Sequence, residues 1–201
     1  MSKVLYVKAN AKLEGESRTF KISDHFIETY KTTHPEDEII TLDLYEEGIT
    51  FLPKGQLEIL HRPNPGEGKG HPILKYAYQF LEADKYVFAE PLWNLSIPAI
   101  LKAYIDYVCV NGITFKYSAN GPIGLCTGKK AINIISRGGE YSSGPAEAFE
   151  MADKYLRIIF GFMGITDFMT IAADQCDVMG IDLDGLIENA IQRANQTALS
   201  F

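Results

Sequence analysis

Glu90-Pro91-Leu92-Trp93-Asn94-Leu95-Ser96-Ile97-Pro98 is the stretch on which the reading of this chain turns. The apolar run Tyr86-Val87-Phe88-Ala89 leads into it and stops at Pro91. Pro98 then opens a segment in which Ile100, Leu101, Tyr104, Ile105 and Val108 share one helical face. A strand therefore empties into a loop of large apolar groups and one amide, and a helix carries the chain away. At the carboxyl edge of an α/β sheet, such loops hold flat, mostly apolar ligands with a polar rim. The same words describe a tight βα loop in which Leu92, Trp93 and Leu95 are core and Asn94 only holds the turn.

The pattern repeats along the chain. Apolar runs at 4–7, 39–42, 86–89, 131–135 and 168–171 predict five strands. Between and after them, helical spacing follows Ser17 (Ile22, Phe26, Tyr30), Pro72 (Ile73, Ala77, Phe80), Pro98 and Pro145 (Phe149, Ala152, Leu156, Ile159, Met163). Gly164 closes that fourth helix, and Ile187, Ala190, Ile191 and Ala194 mark a fifth. Regular alternation implies an α/β fold with parallel strands, right-handed crossovers and helices on both faces. The expected organisation is a single domain over 1–201 with a doubly wound five-stranded sheet, order 2-1-3-4-5. Two stretches are irregular. Segment 43–71 is rich in Pro and Gly, with a short helix expected near 56–60, and 112–128 reads as a small hairpin-like flap.

Composition narrows the function. A chain of 201 residues, 46% hydrophobic and 22% charged, is an ordinary globular protein. Its net charge of −7 argues against a nucleic-acid surface. No apolar run reaches membrane-spanning length, and lysines interrupt the first residues too early for a signal peptide. Cys109, Cys126 and Cys176 are an odd set without CxxC spacing, which suits reduced thiols in a cytoplasm. His25, His34, His61 and His71 are scattered, so no metal site is expected.

Three loops carry candidate chemistry. The first, after strand one, contains neither GxGxxG nor a Walker lysine motif. It offers Asn10 and, at a helix start, Ser17-Arg18-Thr19, where unpaired N–H groups favour a phosphate; Ser17 as a simple N-cap is the plain alternative. The second is Pro91-Leu92-Trp93-Asn94-Leu95. The third is Ser136-Arg137-Gly138-Gly139, whose glycines admit a ligand close to the backbone. A tight turn with Arg137 as a solvated surface charge is its alternative. In the order 2-1-3-4-5, the strands before these loops meet at the topological switch point. One loop for a phosphate and two for a flat ring make an FMN-shaped demand. No nucleophile–base constellation competes, and no catalytic side chain is expected; Asp106 reads as a solvated carboxylate, and Phe115 and Tyr141 as aromatic groups at the crevice border.

At these residues the chain resembles the FMN-dependent NADH-azoreductase / NADH:quinone oxidoreductase family, a flavodoxin-like group. The resemblance runs over nearly the whole length. It is carried by Pro91-Leu92-Trp93-Asn94-Leu95-Ser96-Ile97-Pro98-Ala99-Ile100-Leu101-Lys102-Ala103-Tyr104-Ile105-Asp106, by Gly112-Ile113-Thr114-Phe115-Lys116-Tyr117, by Asn120-Gly121-Pro122 and Gly128-Lys129-Lys130-Ala131, and by Ser136-Arg137-Gly138-Gly139. The resemblance implies an FMN phosphate at Ser17 to Thr19 with Asn10 helping, an isoalloxazine ring along Leu92 to Leu95, and its polar edge at Ser136 to Gly139. It implies a ping-pong hydride relay from NADH to quinones, and in two cycles to aromatic azo compounds, in a homodimer with no nucleic-acid or membrane partner. Leu95 stands where the family often has phenylalanine, which bears on acceptor preference more than on FMN. A flavodoxin-like electron carrier without small-molecule turnover is the alternative, although such carriers have a phosphate loop richer in Ser, Thr and Gly. A flavin-free receiver-like module would need an acidic cluster after strand one, and Ala9-Asn10-Ala11 does not supply it.

Overall fold

Strand β1 (Lys3–Lys8) is an interior strand of the sheet, and its apolar centre is covered, as a parallel strand between two helical layers requires. The structure is a computed structural model, and it describes residues 1–13, 15–61 and 68–201. After β1 come helix α1 (Arg18–Thr33), strand β2 (Glu38–Asp43), and the short helices α2 (Leu57–His61) and α3 (Lys75–Glu82). Strand β3 (Lys85–Pro91), helix α4 (Ala99–Val108) and a hairpin of β4 (Phe115–Ser118) and β5 (Gly121–Gly124) follow. The chain ends with β6 (Lys130–Ser136), α5 (Ala152–Phe162), β7 (Asp167–Ala173) and α6 (Leu183–Ala198). The main sheet runs β2-β1-β3-β6-β7, every pair parallel. With the hairpin set aside, this is the expected 2-1-3-4-5 order.

Alternation along each strand divides the core. Tyr86 and Phe88 face α3, α4 and α5, where they meet Phe80, Leu101 and Phe160. Val87 and Ala89 face α1 and α6, with Phe26 and Ile191. Full burial of each large side chain contributes roughly 1.5–3 kcal/mol, so the two layers pin the sheet, and with it the loops at its carboxyl edge. Edge strand β7 is covered by arginines from two helices: Arg157 donates to the Phe168 carbonyl at 2.9 Å and Arg193 to that of Ala172 at 2.6 Å.

Several details depart from the sequence reading. The helix expected after Pro145 is divided into a 3-10 turn (Pro145–Phe149) and α5. The Glu150 carboxylate interrupts it, because Oε1 accepts the N–H groups of Ala152 and Asp153 at 3.1 and 3.0 Å and so caps a new helix start. Phe149 is left exposed instead of joining the apolar face. Gly164 does end α5, at φ 98°, with Ile165 N–H to Phe160 O and Gly164 N–H to Gly161 O as in a Schellman motif. The 112–128 flap is a clamped hairpin. A side chain on Gly124 would come within 2.2 Å of the Gly164 nitrogen, and Phe115 packs on Phe162 with ring centroids 4.6 Å apart. Phe115 is thus core and does not border a crevice. In segment 43–71 the expected short helix is α2, while residues 62–67 lie outside the described residues. Among the described residues no helix is long and apolar enough to cross a membrane.

Candidate functional site

The loop after β1 folds back on the start of α1. Ser17 is the N-cap: its Oγ accepts the Phe20 N–H at 3.1 Å and an N–H of Asn10 at 2.8 Å. Both residues are largely buried: Ser17 organises the loop from behind, while Asn10 keeps a small face on the crevice. Capping at Phe20 leaves the amides of Arg18 and Thr19 at the positive end of a 16-residue helix. Thr19, fully buried, shares a 2.6 Å hydrogen bond with Ser136 Oγ and lies 3.4 Å from the Glu90 carbonyl. One side chain thus ties all three candidate loops together.

After β3, Trp93 and Ser96 exchange backbone hydrogen bonds of 3.0 Å in both directions. The two residues between them, Asn94 and Leu95, have φ of 49° and 67°, the pattern of a type I′ turn. Asparagine tolerates this region; leucine costs about 1–2 kcal/mol there. The Leu95 carbonyl is held by the Met151 N–H at 2.9 Å. Trp93 and Leu95 are 36% and 40% exposed, and only Leu92 packs against the core, which removes the reading of this loop as plain core packing. Two exposed apolar side chains on a strained turn are an arrangement found at ligand sites.

After β6, the chain of Arg137 to Gly139 is laced to residues 173–177, a segment outside the three candidate loops. Arg137 N–H donates to Ala173 O, and the amides of Gln175, Cys176 and Asp177 donate to Gly139, Arg137 and Gly138. Among the described residues the Gly138 and Gly139 amides have no protein partner and remain as donors. The Arg137 side chain is not a surface charge. It is 5% exposed, 3.5 Å from Glu150 and 3.4 Å from Asp174.

These loops enclose a crevice of about 180 Å³. Asn10, Arg18 and Ser136 give it a polar side, Pro91, Leu92 and Trp93 an apolar one, and Arg137 and Gly138 the end wall. Ser17 and Thr19 are buried behind it, Asn94 and Leu95 form the exposed turn above Trp93, and Gly139 lies under the Tyr141 ring. Tyr141 itself borders a neighbouring groove with Arg157 and Arg193. Lys12, Cys176 and Asp177 also line the crevice; none of them is a candidate residue of the three loops, and Cys176 is expected from the sequence only as a reduced thiol. The carboxyl-edge rule, applied to the loop after the last strand, would have found the latter two. Asp177 fills two roles: Oδ1 pairs with Arg18 at 2.6 Å, and Oδ2 sits 2.7 Å from where a Gly138 Cβ would stand. A carboxylate thus already pairs with the guanidinium of the helix's first residue, the group an incoming anion would use. That donor set, a guanidinium and helix amides beside an apolar wall with spare backbone N–H groups, fits a phosphorylated planar cofactor.

Beneath the crevice floor is a buried polar layer. Glu90 is fully enclosed, and burial holds its carboxyl well above the usual carboxylate range; nearby Glu150 and Asp153 add to the shift, and Asn133 and Arg137 oppose it. Burial likewise pushes the Cys109 and Cys126 thiols up to about 11. Asp106, on α4, is ion-paired with Lys102 at the surface.

Comparison with known proteins follows the same lines. The family described as "Flavodoxin-like fold" matches residues 2–198. FMN-dependent NADH:quinone oxidoreductase 2 of Clostridium acetobutylicum is 65% identical over 201 residues, 100% of both chains. The azoreductase from Bacillus anthracis str. Sterne superposes with a TM-score of 0.89 at 38% identity, covering 100% of both chains. An FMN-dependent NADH-azoreductase from Bacillus anthracis str. Ames Ancestor, solved in complex with FMN, gives 0.87 at 28% identity over 98% of each.

Proposed function

Because the chain belongs to the flavodoxin-like family of FMN-dependent NADH:quinone oxidoreductases, we propose that the crevice between α1, β3 and β6 is its FMN site. The chain is an FMN-dependent NADH:quinone oxidoreductase that also cleaves aromatic azo compounds reductively to amines, with NADH as donor. The observation that carries the assignment of the site is the Thr19–Ser136–Glu90 junction, which draws a helix N-terminus, an apolar turn and a glycine loop to one rim.

FMN, when bound, would supply the two-electron hydride chemistry between NADH and the acceptor. The amides of Arg18 and Thr19, with the Arg18 guanidinium, hold the phosphate once Asp177 yields its place. Ser17 and Asn10 keep that helix end in shape. Pro91, Leu92 and Trp93 supply the apolar face along the ring, and the Gly138 and Gly139 amides meet its polar edge. Donors fixed by the loop lacing need no rearrangement as charge develops, which is where a preorganised backbone contributes. The exposed Asn94–Leu95 turn would border the space over the ring that donor and acceptor use in turn.

The crevice is smaller than the roughly 300 Å³ needed to enclose a ligand of this size. An exposed apolar groove of about 390 Å³, formed by Tyr45, Ile49, Phe51 and Ile100, adjoins the same end of α4. We read both as surfaces completed by a second copy, a homodimer, and residues 1–201 as one FMN-binding domain. The unbridged thiols Cys109, Cys126 and Cys176 support a cytoplasmic setting. The test is to supply purified protein and FMN with NADH, then with menadione or methyl red. Steady NADH oxidation is expected, and a flavin that NADH cannot reduce would favour an electron carrier.

A further inference from the structure

Glu90 ends the side-chain ladder of β3 on the α4–α5 face, one residue before the ring loop, and no water reaches it. Its Oε1 lies 3.3 Å from Asn133 Nδ2. Its Oε2 has no hydrogen-bond partner, and neither has Asn133 Oδ1. Two orphaned acceptors on adjoining buried side chains point to a missing proton: an O–H on Glu90 donated to the Asn133 carbonyl satisfies both. The amide orientation follows from the same bond.

The charges around the pair give the same answer. From the end of β6, Arg137 faces Glu90; its two terminal nitrogens pair with Glu150 and Asp174, and its Nε has no hydrogen-bond partner, so it makes no hydrogen bond to Glu90. From the start of α5 come Glu150 and Asp153, and Arg157 is spent on Asp153 at 2.7 Å. From β7, Thr170 donates to Asp153 at 2.5 Å. Two arginines already face three carboxylates, so a fourth negative charge at Glu90 would go uncompensated even with Arg137 nearby. An ionised Glu90 would be a buried charge without a counter-ion, which proteins avoid by keeping the group neutral.

Residue 90 also sits where the cofactor loops meet. Its carbonyl lies 3.4 Å from the Thr19 hydroxyl, and the next residue, Pro91, pairs with Ser136. We propose that Glu90 is a positioning residue for the cofactor: it persists as an uncharged acid bonded to Asn133, and in that form it locks the junction of the three loops. The positioning role rests on the FMN reading of the crevice; the protonation state does not. Raising the pH until Glu90 ionises places an unpaired charge at the junction and loosens the grip on FMN.

The sign of the linkage is fixed. In the unfolded chain a glutamate gives up its proton near pH 4.3, whereas the folded chain retains it. The acid's contribution to stability is therefore complete below that pH and shrinks as pH rises, until the folded-state group itself ionises. Relative to Glu90→Gln, which has the shape of the neutral acid, the unfolding constant of the unaltered chain should climb about tenfold per pH unit from about pH 5 upward.

The experiment uses the purified full chain, first stripped of FMN and then titrated with it. Infrared spectra of the stripped chain at neutral pH should show a protonated-carboxyl C=O band that Glu90→Gln lacks. Urea unfolding across pH should show the diverging constants. Flavin fluorescence titrations should give an FMN dissociation constant that rises about tenfold or more toward alkaline pH for the unaltered chain, the equivalent of at least one pH unit of linkage, and a flat profile for Glu90→Gln. Glu90→Met, uncharged and of similar length, repeats the comparison if the glutamine variant does not fold. Identical infrared spectra, or parallel pH profiles in unfolding, overturn the neutral acid. Parallel FMN profiles with the band present overturn the positioning role. Failure of every chain to bind FMN, with the band present, overturns the reading of the crevice and leaves the acid standing.

Discussion

Replacing Arg137 with methionine removes a guanidinium that is 5% exposed and leaves Glu150, 5% exposed, and Asp174, 11% exposed, without their cation. Breaking a buried ion pair from one side costs about 3–5 kcal/mol, because the partner's charge stays buried. Both carboxylates keep other donors here. Glu150 retains the amides of Ala152 and Asp153, and Asp174 Oδ2 retains that of Ser142 at 2.9 Å. The lower end of the range, about 3 kcal/mol, is therefore expected. Against a total stability of roughly 5–15 kcal/mol that is a large fraction. Urea unfolding at pH 7, with and without FMN, reads it as a lowered midpoint at unchanged slope. Arg137→Lys should lose less, about 1–2 kcal/mol, since one ammonium cannot span Glu150 and Asp174 as a planar guanidinium does. If Arg137→Met unfolds within about 0.5 kcal/mol of the parent, as a solvated surface charge would, the buried role assigned to Arg137 is wrong.

The remaining predictions concern the crevice and the acid limit. Ser17→Ala should cost about 1 kcal/mol of stability through the lost cap while weakening FMN only a few-fold, since the Arg18 and Thr19 amides remain; thermal melts and FMN titration check both. Asp177→Asn should tighten FMN about two- to five-fold at low salt by freeing Arg18 from an exposed pair; weaker binding would show that Asp177 does not compete with the phosphate. The Asp37 carboxyl is held below the usual range by the Ser2 amide and then by the Tyr30 hydroxyl. Its contribution to stability is present above the ordinary aspartate pKa of about 3.9 and is lost as pH falls through its lower folded value, so Asp37→Asn should flatten the acid limb of a stability–pH profile.

What the chain disclosed before its structure, and what it withheld, follows from the range of the interactions. Runs such as Tyr86-Val87-Phe88-Ala89 are legible because a strand covered on both faces needs unbroken apolar residues, and all five expected runs lie inside strands of the sheet. Their ends were less legible: β3 continues through Glu90 and Pro91, where register with Ser136 outweighs the missing proline N–H. The family was readable from the order of its motifs, and the match over residues 2–198 bears that out. The turn at Asn94-Leu95 carried half a signal, since asparagine favours positive φ and leucine does not; the Met151 amide, far along the chain, holds it there. For Arg137 the surface-charge alternative stayed open because Glu150 and Asp174, its partners, are distant in sequence. Asp177 escaped notice because nothing local marks an aspartate as the occupant of a glycine's missing side chain.

The assignment of the site is tested most directly by titrating FMN into the cofactor-free chain and into a chain carrying Gly138→Val, followed by flavin fluorescence and absorbance. One FMN per parent chain is expected, together with a marked loss of affinity in the variant, because Gly138 lines the crevice and the added isopropyl group takes up the space the ring needs. Equal affinity in the two proteins would place the cofactor somewhere other than this crevice, and no binding to the parent would contradict the account at its root.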